Sequence, residues 1–223
     1  QDKSSAFEEN CTIKQRKKSF MLERMTFIEK LEIIREIFGG QPKRGVSENE
    51  ILCIEDTLQI VIPESLREFY LMFGDDLVFL KCMYDIIRPK ELCVVDRILI
   101  IAKEHQNVCS YGIDIDTQKV IYLDESNQIT KIMESDIEDF LIYLLAVQGT
   151  EFLPCIGKVS RKFIDKFEKN LFRVSKAAGE GAVYCGKKDI ICVVAENDIF
   201  ISAKNDDAMQ KFEEISGLEV DYL

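Results

Sequence analysis

The sequence predicts an α+β fold: a mostly antiparallel β-sheet with helices packed around it, followed by a smaller α+β C-terminal appendage. Three observations support this prediction. Apolar residues recur at helical spacing behind capping signals, β-branched runs are joined by short polar turns, and 47% of the 223 residues are hydrophobic. We divide the chain into a flexible polar arm at 1–18, a main domain at 19–150 and the appendage at 151–223.

The main domain is predicted to open with two helices. The first spans 19–38, where apolar residues form one stripe that stops at Gly39 and Gly40. Ser47 and Glu50 predict the start of the second, because this spacing forms a capping box in which each side chain satisfies a free backbone N–H. Its inner residues are expected to be Ile51, Ile54 and Leu58.

A third helix is predicted from Pro63, which suits the first helical position because that position needs no N–H donor. Gly74 suits a left-handed turn at its end. Two possible edge strands follow, at 77–80 and 84–87. The inner residues of the helix are expected to be Leu66, Phe69, Tyr70 and Phe73.

The sheet itself is predicted from three runs at 97–102, 108–115 and 119–123. The last two runs are joined by a short segment rich in Asp and Thr, so we expect an antiparallel hairpin. Ser135 and Glu138 then predict a capping box at the start of a closing helix. Its apolar residues are Phe140, Leu141, Leu144 and Leu145.

The appendage is predicted to contain a helix, a three-stranded meander and a last helix, after a possible boundary at 149–157. About 70 residues make a small independent core. We therefore expect the appendage to pack against the main domain, where extension of its sheet is one arrangement. The last helix should stop at Gly217. The expected elements are a helix around 163–171, strands at 182–185, 190–195 and 199–202, and a helix at 206–215.

This order of elements resembles the SUKH superfamily over roughly residues 20–148. The resemblance is carried best by Pro63-Glu64-Ser65-Leu66 and by the section from Ala102 to Asp124. The superfamily includes bacterial immunity proteins that neutralise toxins and fungal regulators of cell-wall synthesis. The chain has no tryptophan, which many members carry in this region. The resemblance implies a non-enzymatic, protein-binding function.

The negative charge of the chain is concentrated in one region. Residues 51–150 contain eight Lys/Arg and eighteen Asp/Glu, which accounts for ten of the eleven net negative charges. Such a surface repels nucleic acid and membranes and attracts basic proteins. Because nucleases are basic where they bind phosphate, we expect a cognate toxin of that kind as partner, and neither nucleic acid nor membrane. The alternative is that the acidity only keeps the protein in solution.

No familiar catalytic or metal-binding motif is present. His105 is the single histidine, no C-x-x-C pair occurs, and no glycine-rich phosphate loop is found. Asp114 and Asp116 with Glu125 imitate the spacing of a calcium loop, but Lys119 stands where the loop needs glycine. We therefore expect no catalytic residue, no metal and no cofactor.

The pattern of the eight cysteines predicts where in the cell the protein is located. They are scattered and mostly flanked by hydrophobic residues, which is typical of reduced, buried thiols in a cytoplasmic protein. No apolar run reaches the roughly 18 residues of a membrane-spanning helix.

The leading hypothesis is an immunity protein that binds and neutralises a polymorphic bacterial toxin. Two alternatives are a SUKH-type regulator or scaffold that binds a host protein, and an enzyme with an unrecognised carboxylate site. The oligomeric state is left open. Aromatic anchors for the partner are expected at Tyr111 and Tyr122. Charged contacts are expected at Asp75, Asp76, Asp114, Asp116, Asp124 and Glu125.

Overall fold

The computed structural model describes residues 25–39, 44–76, 80, 83–177, 179–186 and 188–223. The predicted polar arm at 1–18 lies outside these residues. Within them the chain forms six α-helices and twelve strands in two antiparallel sheets, which confirms the α+β class.

The helices are α1 (Phe27–Ile37), α2 (Glu48–Leu58), α3 (Glu64–Phe73), α4 (Ile137–Phe152), α5 (Ile164–Asn170) and α6 (Asp206–Ser216). The strands are β1 (Tyr84–Ile86), β2 (Cys93–Val95), β3 (Ile98–Glu104), β4 (Cys109–Asp114), β5 (Val120–Asp124), β6 (Ile129–Ile132), β7 (Cys155–Ser160), β8 (Phe172–Arg173), β9 (Val183–Gly186), β10 (Ile190–Val194), β11 (Asp198–Ala203) and β12 (Asp221–Tyr222).

Helix α1 begins later than the predicted residue 19. Thr26 is its N-cap: the Thr26 hydroxyl accepts from the Glu29 N–H at 3.3 Å, and the Glu29 carboxylate accepts from the Thr26 N–H at 2.7 Å. An N-cap residue has an extended backbone, so residue 26 is not helical. Residues 19–24 lie outside the described part of the chain.

Helices α2 and α3 lie where they were predicted, with changes at the ends of α3. The Ser47–Glu50 capping box is confirmed. Pro63 is the N-cap of α3 and not its first helical residue. Gly74 is right-handed, with φ −61°, so the predicted left-handed turn is wrong. Glycine is needed there because a Cβ would crowd the Tyr70 carbonyl oxygen and the Val46 side chain.

The segment after α3 also differs from its prediction. The buried residue Leu80 is helical, and its N–H donates to the Asp76 carbonyl at 3.0 Å, so it is not part of an edge strand. The neighbouring residues 77–79 of that predicted strand are outside the described residues.

The first sheet, called sheet A, has the order β1-β3-β4-β5-β6, with β2 beside β3 on the same edge as β1. Strands β1, β3, β4 and β5 were predicted, whereas β2 and β6 were not. Leu99 and Tyr111 belong to the main core with α3 and α4, whereas Ile100 and Ile121 belong to a separate buried cluster. Both faces of β3 and β5 are therefore apolar.

Helix α4 lies between the two sheets. Its N-cap is Asp136, whose side chain accepts from the Asp139 N–H at 2.9 Å, so the predicted capping box at Ser135 is one residue out of place. A helix with apolar residues on every side is a buried helix. Its residues share one core with Tyr111 of sheet A and with Ile191 of the second sheet.

The second sheet, called sheet B, has the order β12-β7-β11-β10-β9-β8. The predicted meander is confirmed as β9, β10 and β11, but the appendage forms this separate sheet and does not extend sheet A. The predicted boundary at 149–157 contains the end of α4 and the start of β7. Gly217 ends α6 with φ +60°, as predicted. The other face of sheet B packs on α5 and α6.

Candidate functional site

The predicted acidic residues of the β4–β5 turn are engaged in local bonds. The Asp114 carboxylate accepts from the N–H of Asp116 at 3.0 Å and from the N–H of Thr117 at 2.8 Å. Asp116 forms a two-point ion pair with Arg97, and this guanidinium holds the pKa of the Asp116 carboxyl below its usual range. These carboxylates therefore stabilise the turn.

The other predicted acids lie elsewhere. The Asp124 carboxylate accepts from the N–H groups of Ser126 and Gln128, both at 2.9 Å, in the β5–β6 turn where Glu125 is exposed. Asp124 pairs with Cys109 at the start of β4, and Asp114 ends that strand, so the two turns are about 17 Å apart. The structure does not bring them together.

Asp75 and Asp76 directly follow α3 and differ from each other. Asp75 is exposed, and its N–H donates to the Arg44 carbonyl at 2.7 Å. Asp76 is only 4% exposed. A buried carboxylate cannot meet a partner's surface, so of this pair only Asp75 is open to such a contact.

The two predicted tyrosines are brought together. Tyr111 and Tyr122 are cross-strand partners in β4 and β5, and their rings meet edge to face at 5.3 Å. The Tyr111 ring also contacts Phe140 of α4 at 4.9 Å and Tyr84 of β1 at 5.7 Å. Such aromatic pairs add stability beyond the area they bury. The aromatic groups thus form a continuous cluster on the inner face of sheet A.

This cluster opens into a cleft of about 770 Å³, which we call the tyrosine cleft. It lies between sheet A, the start of α4 and the chain around 176–181. Four acidic and two basic side chains line it, so its charge is negative. The lining residues are Tyr111, Tyr122, Lys131, Met133, Glu134, Ser135, Asp136, Asp139, Phe140, Tyr143, Lys176, Ala177, Glu180 and Gly181.

The appendage forms one wall of the cleft, and residues at the start of α4 bind that wall. The Asp139 carboxylate accepts from the Lys176 N–H at 2.7 Å. The Lys176 ammonium lies 3.3 Å from the Asp136 carboxylate and 3.7 Å from that of Glu138. Burial raises the pKa of Asp139 above its usual value, and the bond from Lys176 offsets only part of that effect.

The hydroxyl groups of the cluster are neutral hydrogen-bonding groups at physiological pH. Burial raises the pKa of Tyr143 to about 12, and burial together with the neighbouring Tyr84 raises that of Tyr111 further. The pKa of Tyr122 is raised by its hydrogen bond with the Cys109 thiol and by burial. The floor of the cleft therefore combines apolar rings with neutral donors and acceptors.

A group of acids lies beside the cleft, where α3 meets the start of α4. We call Glu64, Glu68 and Glu138 the acidic rim. The pKa of Glu68 is raised by burial and then by the charges of Glu64 and Glu138. Ser65 donates to the Glu138 carboxylate at 3.4 Å, which ties the two helices together at this point. Like charges are thus held close on one surface.

Several cleft residues were not predicted from the sequence. Tyr143 follows Phe140 by three residues, and this spacing places both on one side of a helix. The sequence therefore contained a signal that could have identified Tyr143. Asp139 also had a signal, because it lies in the first turn of a predicted helix. No local pattern connects Lys176 or Glu180 with the main domain, since their position depends on how the appendage packs.

The described residues contain no group of three or more His, Cys, Asp or Glu that fits a metal ion. None of the helices in that part of the chain has the length and apolar character needed to cross a membrane. The six cysteines whose state is described are free thiols, and Cys53 and Cys93 among them are exposed, not buried as expected. Comparison with protein-family models, curated proteins and solved structures finds no match to this chain.

Proposed function

We propose that this protein is a non-enzymatic immunity protein of the SUKH type. It binds and neutralises a bacterial toxin, a basic nuclease, through the tyrosine cleft and the acidic rim. The observation that carries the proposal is the placement of partly exposed tyrosines beside an excess of acidic over basic side chains on one side of the main domain.

The aromatic residues supply the anchor. Binding energy at protein interfaces is concentrated in a few tyrosine, tryptophan and arginine contacts that exclude water. Tyr122 and Tyr143 are partly exposed, and the Tyr111 ring contacts both Tyr122 and Phe140. A basic side chain of the partner that enters the cleft meets aromatic faces and carboxylates together, which favours a cation.

The acids supply the attraction. Negative charge at the cleft and on the acidic rim raises the rate at which a basic protein meets this surface, and it disfavours acidic competitors. The same surface occludes a toxin's active site by covering the groove through which the toxin binds phosphate.

A binding function fits the cleft better than catalysis, because the two acids that α4 contributes at its start have structural tasks. Asp136 caps α4 and binds Lys176, and Asp139 accepts from a main-chain N–H. An acid–base pair needs carboxylates that are free to exchange protons with a substrate. The cytoplasm is the proposed location, since a nuclease toxin acts there and free thiols persist there.

The test begins with capture. The protein is immobilised, exposed to extract of the source organism, and washed at low and then high salt. We expect mass spectrometry to identify a basic nuclease that salt releases, and we expect the purified protein to block that nuclease on plasmid DNA. A captured nuclease that stays fully active contradicts the proposal, and capture of a host regulatory protein supports the scaffold alternative instead.

Two variants and their controls locate the surface. Tyr122→Ser should speed dissociation at least tenfold through loss of an aromatic anchor, whereas Tyr222→Ser on sheet B should not. Glu64→Gln with Glu68→Gln should slow association severalfold at low salt and little at high salt. The matched control is Asp207→Asn with Glu214→Gln on α6. Equal effects of the controls would remove the tyrosine cleft and acidic rim as the binding surface.

A further inference from the structure

Strand β6 is the free edge of sheet A. Within the described residues it pairs only with β5, and all four of its residues are exposed. Ile129 and Ile132 are 57% and 60% exposed. An edge strand that shows β-branched residues and unpaired main-chain groups is a template for another strand.

The direction of the unpaired main-chain groups follows from the register. The Met133 N–H donates to the Val120 carbonyl at 2.9 Å, and Lys131 lies opposite Tyr122. Main-chain groups alternate along an antiparallel strand, so those of Lys131 point to β5. The N–H and C=O of Ile132 therefore point to the open edge.

The edge borders the tyrosine cleft. Lys131 and Met133 line the cleft, whereas Ile132 lies opposite Ile121 on the outer face. Side chains of an added strand alternate between the two faces of the sheet. One set would point to the side where Tyr122 and the cleft lie, and the other set would pack beside Ile132.

The acidic residues on either side of β6 favour one kind of added strand over others. Glu125 lies in the turn before β6, and Glu134 and Asp136 follow it. A second copy of this chain that pairs antiparallel over the full length of β6 would bring its Glu125 end to the Glu134 end of this strand, and like charges disfavour this arrangement. A strand with basic residues at its ends and apolar residues in its middle matches both the acids and the isoleucines.

We propose that the β6 edge binds an extended basic-flanked segment of the partner protein by strand addition, with alternate side chains entering the tyrosine cleft. The inference rests on the proposed function in taking the partner to be a basic protein. Main-chain hydrogen bonds supply affinity in this mode, and the cleft selects the side chains.

The decisive variant is Ile132→Pro. Proline removes one N–H, and at this residue that N–H points to the open edge, so the fold should tolerate the change. Ile132→Ala is the control that removes the side chain and keeps the N–H. Lys131→Pro should instead weaken the sheet, because its N–H points to β5, and circular dichroism checks this pattern.

The probe is a phage-displayed library of random twelve-residue peptides panned against the wild-type protein. We expect peptides with alternating apolar residues and basic ends. Their affinity should fall at least tenfold for Ile132→Pro and less than threefold for Ile132→Ala. Hydrogen exchange at the Ile132 amide should slow when such a peptide binds.

Failure of this inference is distinct from failure of the proposed function. Recovery of no binding peptide, or of peptides that bind Ile132→Pro as well as the wild type, overturns strand addition. If a captured nuclease is inhibited equally by the wild type and by Ile132→Pro, the immunity function stands and the edge is not its site. If edge-binding peptides are found but no toxin is captured, the edge stands and its partner is of another kind.

Discussion

Asp139 is almost completely buried between the start of α4 and the chain that leads to β9. It is 4% exposed and accepts a hydrogen bond from the Lys176 N–H. Burial penalises its charged form, so its pKa in the folded protein is above the unfolded value. This residue connects the appendage to the main domain at the cost of an electrostatic penalty.

The raised pKa of Asp139 makes the stability of the fold depend on pH. A carboxyl group whose pKa is raised by folding stabilises the fold at low pH, and its contribution is lost as pH rises through the folded pKa. Asp139→Asn removes the charge and keeps an acceptor. As the pH rises above the ordinary pKa of an aspartate carboxyl, we expect the free energy of unfolding to fall less in this variant than in the wild type. Urea unfolding from pH 4 to 7.5 measures this difference.

Asp139→Ala is the matched comparison. It removes both charge and acceptor and leaves the Lys176 N–H, which takes part in a part-buried hydrogen bond, without its partner, which costs about 1 kcal/mol or more. The order of stability at neutral pH should therefore place the Asn variant well above the Ala variant. Equal stability of the two variants would show that the bond to Lys176 contributes nothing.

At the scale of elements, the chain before α2 lies against the last turn of α3. The Val46 N–H donates to the Tyr70 carbonyl at 3.1 Å, and the Asp75 N–H donates to the Arg44 carbonyl at 2.7 Å. Gly45 lies between these contacts, where an added Cβ would overlap the Leu71 carbonyl oxygen. Glycine is required here by close approach of two backbones.

Gly45→Ala should therefore separate the loop from α3. We expect a loss of about 3 kcal/mol or more, because the collision is with backbone and not with a movable side chain. Gly217→Ala is the control. Its φ of +60° is strained for alanine, but an added Cβ would meet only the Lys166 Nζ at 3.8 Å, so the loss should be about 1–2 kcal/mol. Thermal unfolding of both variants measures the difference, and a smaller loss at Gly45 would contradict this packing.

At the scale of the whole molecule, α4 is shared by the two sheets. Its apolar residues belong to one core that includes Leu99 of sheet A and Val193 of sheet B. Removing either sheet would expose one side of a helix that has no polar side. We infer that the two sheets unfold as one cooperative unit, although the sequence divides them at 150.

Two groups of native reporters test this inference. Once Tyr184 and Tyr222 of sheet B are replaced by phenylalanine, the tyrosine signal reports on sheet A and the helices packed against it. The thiols of Cys185 and Cys192, buried in β9 and β10, report on sheet B. During urea unfolding, the tyrosine signal and the reaction of these thiols should change at the same midpoint. The other cysteines are first replaced by serine or alanine in a control protein. Two separate midpoints would show that the sheets are independent domains.

Local signals predicted much of the fold and part of the site. Ser47 and Glu50 identified a helix start because capping uses side chains a few residues apart, and the Asp114 turn was foreseen for the same reason. Strand β6 was missed because Ile129–Ile132 is short and exposed, so it lacks the alternation of a half-buried strand. The acids of the hairpins were chosen for their charge, yet local bonds engage most of them.

The sequence by itself determined the α+β class, the starts of α2 and α6, the central hairpin and the concentration of acids in 51–150, because each depends on neighbouring residues or on composition. The tertiary structure alone decided that α4 lies between two sheets, that Lys176 and Glu180 join the tyrosine cleft, and that Glu68 meets Glu138. These contacts join residues far apart in the chain. They form only when apolar faces of separate elements are buried together, which no local pattern encodes.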